Sequence, residues 1–248
     1  MHNFETSSDE LKGKTILVTG AGDGIGKCAA VTYAKLGAKV ILLGRTVKKL
    51  EAVYDEVVKH GDNNCAIIPL DLQGATPKHY SDMAQTISDQ FTKLDGVLFN
   101  ASLLGNIQPF TQISEKEFHE VMQVNLNSAF FMTQALIPVL KQAEAASVIY
   151  TTSTVGHQGR AYWGTYAISK FATEGMMQVL ADEFSNSDMR FNCINPGRTR
   201  TAMRAKAYPA EDASTLKTPE DIMPLYCYLM SDQSKACNGQ MLDAQPKK

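Results

Sequence analysis

Short apolar runs return along the chain at regular intervals, separated by stretches whose apolar residues recur with helical period. Residues 15–19, 39–43, 65–70, 96–99 and 147–151 are four to six residues long and draw on Val, Ile and Leu, and 190–195 alternates apolar Phe, Cys and Ile with polar residues. Runs of that length and composition read as strands buried on both faces. Helical patterns cover 27–36, 47–60, 79–91, 114–141 and 162–184. Strands alternating with helices at this spacing predict an α/β fold, with one parallel sheet wound in both directions, helices on both faces and ligands at the strand C-terminal ends. No Pro/Gly/Ser linker or repeat divides the chain, so residues 13–248 are expected to form one domain. Residues 1–12 are polar and acidic and are expected to be a flexible N-terminal segment.

The first strand runs into Gly20-Ala21-Gly22-Asp23-Gly24-Ile25-Gly26 and then into a helix. Strand, glycine turn and helix make the opening of a Rossmann-type nucleotide site. The glycines let backbone approach a pyrophosphate, and the N–H groups at the helix start face its charge. The second strand ends in Gly44-Arg45-Thr46, where a site for NAD would offer an acid to the ribose 2′-hydroxyl. An acid would repel a 2′-phosphate and Arg45 can pair with one, so the expected cofactor is NADP, with NADPH favoured over NADH. The third strand ends at Asp71-Leu72, and Asp71 either holds the adenine amino group or caps the following turn. The fourth ends at Asn100-Ala101-Ser102.

Composition narrows the partners. The 248 residues are 44% hydrophobic and 20% charged with a net charge of −2, so no global basic field favours nucleic acid or an anionic membrane. No apolar stretch approaches the ~18 residues a membrane span needs, and residues 1–12 lack the core of a secretory signal. The five cysteines are odd in number and scattered without metal-ligand spacing. Reduced thiols and a soluble, cytoplasmic protein without a metal site are expected.

The chemistry is expected where Tyr166 and Lys170 stand four residues apart, which on a helix places both on one face. An ammonium near a phenol favours the phenolate and would make Tyr166 a general acid/base at neutral pH. Ser153, thirteen residues earlier at the end of a strand, would bring its hydroxyl to the place where a substrate oxygen lies.

These features together resemble the short-chain dehydrogenase/reductase family. The resemblance rests on Thr19-Gly20-x-x-x-Gly24-x-Gly26, Asn100-Ala101, Asn125, Ser153, Tyr166/Lys170 and Pro196-Gly197, in that order, and runs from about Lys14 to Asp243. It implies that Tyr166 is the acid/base, that Ser153 orients the carbonyl and that Lys170 also holds the nicotinamide ribose. It further implies that Asn125 holds a water in a proton relay, and that Pro196, Gly197, Thr199 and Thr201 lie along the nicotinamide. Two positions depart from the family pattern. Ser102 replaces the usual Gly after Asn-Ala, and Ala244-Gln245 replaces a Gly-Gly after Asp243.

The expected activity is NADP(H)-dependent interconversion of an alcohol and a carbonyl by hydride transfer. A 3-oxoacyl-thioester (acyl carrier protein) reductase is the alternative, and a non-catalytic NADP-binding protein ranks below it. Leu104, His157, Trp163 and Met203 are expected to line the substrate pocket beneath a flap over about 201–218. Arg198, Arg200, Arg204 and Lys206 could greet an acidic substrate or carrier. The longer epimerase relatives are disfavoured by the glycine spacing and the short chain. In this family the two long helices pair between subunits, which implies a homodimer or homotetramer.

Overall fold

The computed structural model describes residues 9–60 and 65–246. Seven parallel strands form one sheet: β1 (Thr15–Thr19), β2 (Lys39–Gly44), β3 (Ala66–Pro69), β4 (Gly96–Phe99), β5 (Ser147–Thr151), β6 (Arg190–Asn195) and β7 (Met241–Asp243). Their order is β3-β2-β1-β4-β5-β6-β7, so the winding reverses between β1 and β4 and opens a crevice at their C-terminal ends. Every residue of β1, β4 and β6 is buried, which is why β1 and β4 read as apolar runs, while the buried Arg190, Asn192 and Asn195 of β6 are each hydrogen-bonded.

The helices are α1 (Gly24–Lys35), α2 (Val47–Val57), α3 (Pro77–Phe91), α4 (Glu115–Met122), α5 (Ser128–Leu140), α6 (Gly164–Glu183), α7 (Ala202–Ala207) and α8 (Pro219–Met230). One core packs α1, α2 and α8 on one face of the sheet, and a second packs α3, α5 and α6 on the other.

Several expectations are corrected. The helix expected over 114–141 is broken by a π-helical turn at Gln123–Asn127, pinned where the Gln123 amide donates to the Leu72 and Ala75 carbonyls. The helix expected from residue 162 starts at Gly164, because Tyr162 is held at φ 73° with its carbonyl accepting from Gln108 N–H. Three elements were not anticipated, α7, α8 and β7. The expected N-terminal segment lies outside the described residues as far as residue 8. By Leu11 the chain is already packed, with that side chain fully buried and its N–H bonded to the Leu36 carbonyl at 2.8 Å.

Candidate active site

The first strand ends where Thr19 Oγ1 accepts from the N–H groups of both Asn100 and Ala101, at 3.0 and 3.1 Å, lashing the ends of β1 and β4 together. The chain then turns at Gly20, φ 66°, where a Cβ would stand 3.0 Å from Ala101 Cα. At Gly26 a Cβ would meet the Gly20 carbonyl oxygen at 2.3 Å and Asn100 Nδ2 at 2.7 Å, so only glycine lets α1 seat this close. Asp23 caps α1 by accepting from Gly24 N–H at 2.8 Å, and Lys49 from α2 answers its charge at 2.6 Å. That contact, first among its causes, holds the Asp23 carboxyl below its usual range.

A cleft of about 790 Å³ runs from this loop across the ends of β4, β5 and β6. It gathers most of the expected residues: Gly20, Asp23, Gly24, Ile25, Asn100 and Ala101 on one side, Ser153, Tyr166 and Lys170 in the middle, and Pro196, Gly197, Thr199 and Thr201 opposite. Leu104, Trp163 and Met203 line its outer part, packed with Val155 and Tyr166.

Tyr166 and Lys170 lie on one face of α6, both nearly buried, with the ammonium 5.4 Å from the phenol ring centre. Lys170 Nζ donates to the Thr151 carbonyl at 2.8 Å, which fixes it against the end of β5. The electrostatics reverse the expectation drawn from the Tyr–Lys spacing. Burial pushes the Tyr166 phenol up to about 12, with the Ser153 hydrogen bond opposing it. Burial also brings the Lys170 ammonium down to about 8, with Cys193 and Glu174 opposing it. In the chain by itself desolvation outweighs the Ser153 hydrogen bond, and Tyr166 is a neutral phenol at pH 7.

Asn125 lies behind this wall, in the π-helical turn. Its Oδ1 accepts from Leu103 N–H at 2.7 Å, and its Nδ2 donates to the Leu103 carbonyl at 2.9 Å and to Ser169 Oγ at 3.0 Å. Asn125, Thr151 and Lys170 border a void of about 10 Å³, about the smallest that admits one water.

The remaining expected residues sit elsewhere. Gly22 packs against Lys49 and Gly26 against Gly20, so both shape the loop without lining the cleft. Asp71 accepts from Gln73 N–H at 3.1 Å, the turn-capping alternative. Leu72, in the turn after β3, is buried in the core. Arg45 is exposed at the end of β2, outside the cleft lining. His157 turns away from the cleft toward Glu174, 3.4 Å from Nδ1 to Oε1.

The flap contains α7 and is strapped down by its own cations. Arg198 and Arg204 both hold Glu211, and Arg200 donates to the Ala213 carbonyl at 2.8 Å. Arg204 lies 3.8 Å over the Tyr208 ring, whose hydroxyl accepts from Arg160 at 2.7 Å. None of Arg160, Glu211 or Glu174 stood out from the sequence, since Arg160 and Glu174 act through partners 48 and 22 residues away and Glu211 answers two flap cations outside any helical spacing. Of the two family departures, Ser102 leaves its Oγ buried without a partner among the described residues. Gln245 braces the Pro196–Thr199 turn, donating to the Pro196 carbonyl at 2.9 Å.

The model of the short chain dehydrogenase family matches residues 14–212. The chain belongs to the short chain dehydrogenase family. An uncharacterized oxidoreductase of Escherichia coli K12, YciK, is 52% identical over 246 residues, covering 99% of this chain and 97% of that protein. Among solved structures of the family, a short chain dehydrogenase of E. coli CFT073 in complex with NADPH superposes with a TM-score of 0.94 at 52% identity, covering 97% of this chain and all of that one. One from Shigella flexneri 2a in complex with NADP gives 0.95 at the same identity and coverage. A doubly wound parallel sheet with the glycine turn at its switch point is thus the family's fold as well as this chain's.

Proposed function

We propose that this chain is an NADP(H)-dependent oxidoreductase that interconverts an alcohol and a carbonyl compound. The observation that carries the reading is the meeting of Ser153, Tyr166 and Lys170 midway along a cleft that begins at a glycine turn and a helix N-terminus. The residues fit a dinucleotide: the backbone cradle at Gly20 and Gly26 leaves no room for a Cβ, and the buried hydroxyl of Ser102 is unpartnered among the described residues along the same wall. The two relatives named with NADP or NADPH support the choice of cofactor, as does Arg45 at the end of β2. When bound, the nicotinamide supplies or takes the hydride.

The protein's own part is to place the carbonyl and move a proton. Ser153 and Tyr166 would hold the carbonyl oxygen between two hydroxyls. A phenol at about 12 stays protonated at neutral pH and can surrender its proton to the far more basic alkoxide that hydride addition creates. The Lys170 ammonium then steadies the phenolate left behind. Asn125, Thr151 and the small void beside Lys170 offer a place for the water that returns a proton to this pair.

Leu104, Val155, Trp163, Met203 and Tyr208 give the outer cleft apolar and aromatic walls, which suit a medium-sized organic carbonyl. For the 3-oxoacyl-thioester alternative, Arg198 and Arg204 are engaged by Glu211, and the exposed Lys206 is the flap cation that would meet an acidic carrier.

Phe130 and Val179, 49% and 63% exposed on α5 and α6, support a homodimer or homotetramer paired through those helices, while Met132, Leu136 and Met177 belong to the core. No helix among the described residues is long and apolar enough to cross a membrane. Five free cysteines fit the cytoplasm. The direct test follows NADPH oxidation across diketones, quinones, aldehydes and 3-oxoacyl thioesters. Turnover of at least one class is expected, and NADPH binding without turnover of any would favour a non-catalytic binding protein.

A further inference from the structure

Glu174 stands one helical turn beyond Lys170 and two beyond Tyr166, on the same face of α6, and its residue is only 8% exposed. Burying a carboxylate is costly unless it is hydrogen-bonded, so its partners show what holds it there. They flank Ser153. Thr152 Oγ1, in a residue 1% exposed, donates to Glu174 Oε1 at 2.5 Å, and His157 Nδ1 lies 3.4 Å from the same oxygen. Between them Gly156 presses so close that a Cβ would stand 2.5 Å from both Glu174 Oε1 and Thr152 Oγ1 and 3.1 Å from Lys170 Cβ. The turn carrying Ser153 is therefore gripped at both ends by one carboxylate, while Thr152 N–H is fixed to the Ile194 carbonyl at 2.8 Å.

We propose that Glu174 is a positioning residue which, through Thr152 and His157, holds the Ser153 hydroxyl in register with Tyr166. The proposal rests on the catalytic reading of Ser153 and Tyr166 given above. Glu174 borders no part of the cleft itself, so it acts through the turn and touches neither substrate nor cofactor. The hydrogen bonding, more than the charge, does the positioning. A glutamine in its place keeps Oε1 as an acceptor for both the Thr152 hydroxyl and a His157 Nδ1–H.

The test compares Glu174→Ala, Glu174→Gln and Thr152→Val in the full chain, each alone and combined with Ser153→Ala. The readouts are NADPH oxidation on the best carbonyl of the panel, NADPH affinity by fluorescence, and amide exchange over residues 152–157. Glu174→Ala and Thr152→Val should each lower kcat about 10- to 100-fold, the order expected of a misplaced reacting group, with NADPH affinity within about twofold of the parent. Glu174→Gln should recover most of that loss. On the Ser153→Ala background, Glu174→Ala and Thr152→Val should cost less than about threefold more, because the group they position is already gone. Full kcat in Glu174→Ala, losses that multiply with Ser153→Ala, or a Gln variant as poor as the Ala one would overturn the proposal. If Glu174→Ala does not fold, Thr152→Val, which loses one hydrogen bond and almost no volume, carries the comparison. If Ser153→Ala turns over like the parent, or no carbonyl is turned over, the catalytic reading is what fails. The clamp is then judged on exchange: faster exchange over 152–157 in Thr152→Val upholds it, and unchanged exchange refutes it.

Discussion

Replacing Asn125 tests whether the π-helical turn is held by that amide. Its three hydrogen bonds satisfy both backbone groups of Leu103 and reach Ser169, whose own hydroxyl donates to the Tyr166 carbonyl at 2.8 Å. Asn125→Ala leaves the Leu103 N–H and C=O without partners, and at about 1–3 kcal/mol for each such group, eased by water entering the space, the loss is about 2–4 kcal/mol. For a chain of this size that corresponds to a fall in Tm of about 4–16 °C. Asn125→Asp is more diagnostic, because it has the same shape. One carboxylate oxygen can still accept from Leu103 N–H, but the other faces the Leu103 carbonyl and a Ser169 oxygen whose only proton is already given away. Burial and two facing acceptors raise the folded carboxyl's pKa. The penalty is therefore absent while the acid is protonated in both states, and it grows as pH rises above the unfolded carboxyl's value near ~4. Thermal unfolding followed by circular dichroism at pH 5 and pH 7.5 should show Asn125→Asp closer to the parent at the lower pH. An Asp variant as stable as the parent at pH 7.5 would refute the assigned hydrogen-bond pattern.

Other outcomes follow from the same geometry. Gly26→Ala drives a Cβ to 2.3 Å from the Gly20 carbonyl oxygen and 2.7 Å from the Asn100 amide nitrogen, and should cost about 1–3 kcal/mol in calorimetry and weaken NADPH binding; an unchanged Tm would contradict it. Arg45→Glu should weaken NADPH at least about tenfold in a fluorescence titration while leaving NADH unaffected, since it replaces a phosphate's partner with a repelling charge; equal effects on both nucleotides would count against the 2′-phosphate role. Lys170 is charged below about pH 8 and neutral above it, so kcat/KM for carbonyl reduction should be flat at lower pH and fall as pH rises through about 8. A profile flat to pH 9.5 would dissociate the ammonium from the chemistry.

What the chain revealed in advance followed from local signals. Strands buried on both faces announce themselves as apolar runs, and β1, β4 and β5 fall where those runs do. Tyr166 and Lys170 share one helix, so their spacing alone places them together. β7 is three residues with exposed ends and carries no such run. The start of α8 was marked by the Thr218/Asp221 capping box and Pro219, but Pro224 inside the helix obscures the pattern. A single π-helical turn leaves hydrophobic periodicity almost unchanged, so the break at Asn125 was invisible. The Glu211 straps cross an irregular flap and the Glu174 grip joins residues 17 and 22 apart, and no spacing rule reaches either. Charge was misjudged for a related reason: Tyr-x-x-x-Lys shows the cation but not the burial, and burial sets the direction for both groups.

The central claim is that the Tyr166 phenol gives the proton in carbonyl reduction, and Tyr166→Phe isolates it, removing one oxygen from a ring held by Trp163 at 5.8 Å between centroids. Measured on the best carbonyl of the panel, kcat should fall at least about 100-fold, within the range assigned to general acid catalysis, with NADPH affinity little changed. A phenylalanine variant that retains nearly the parent's kcat would contradict the account.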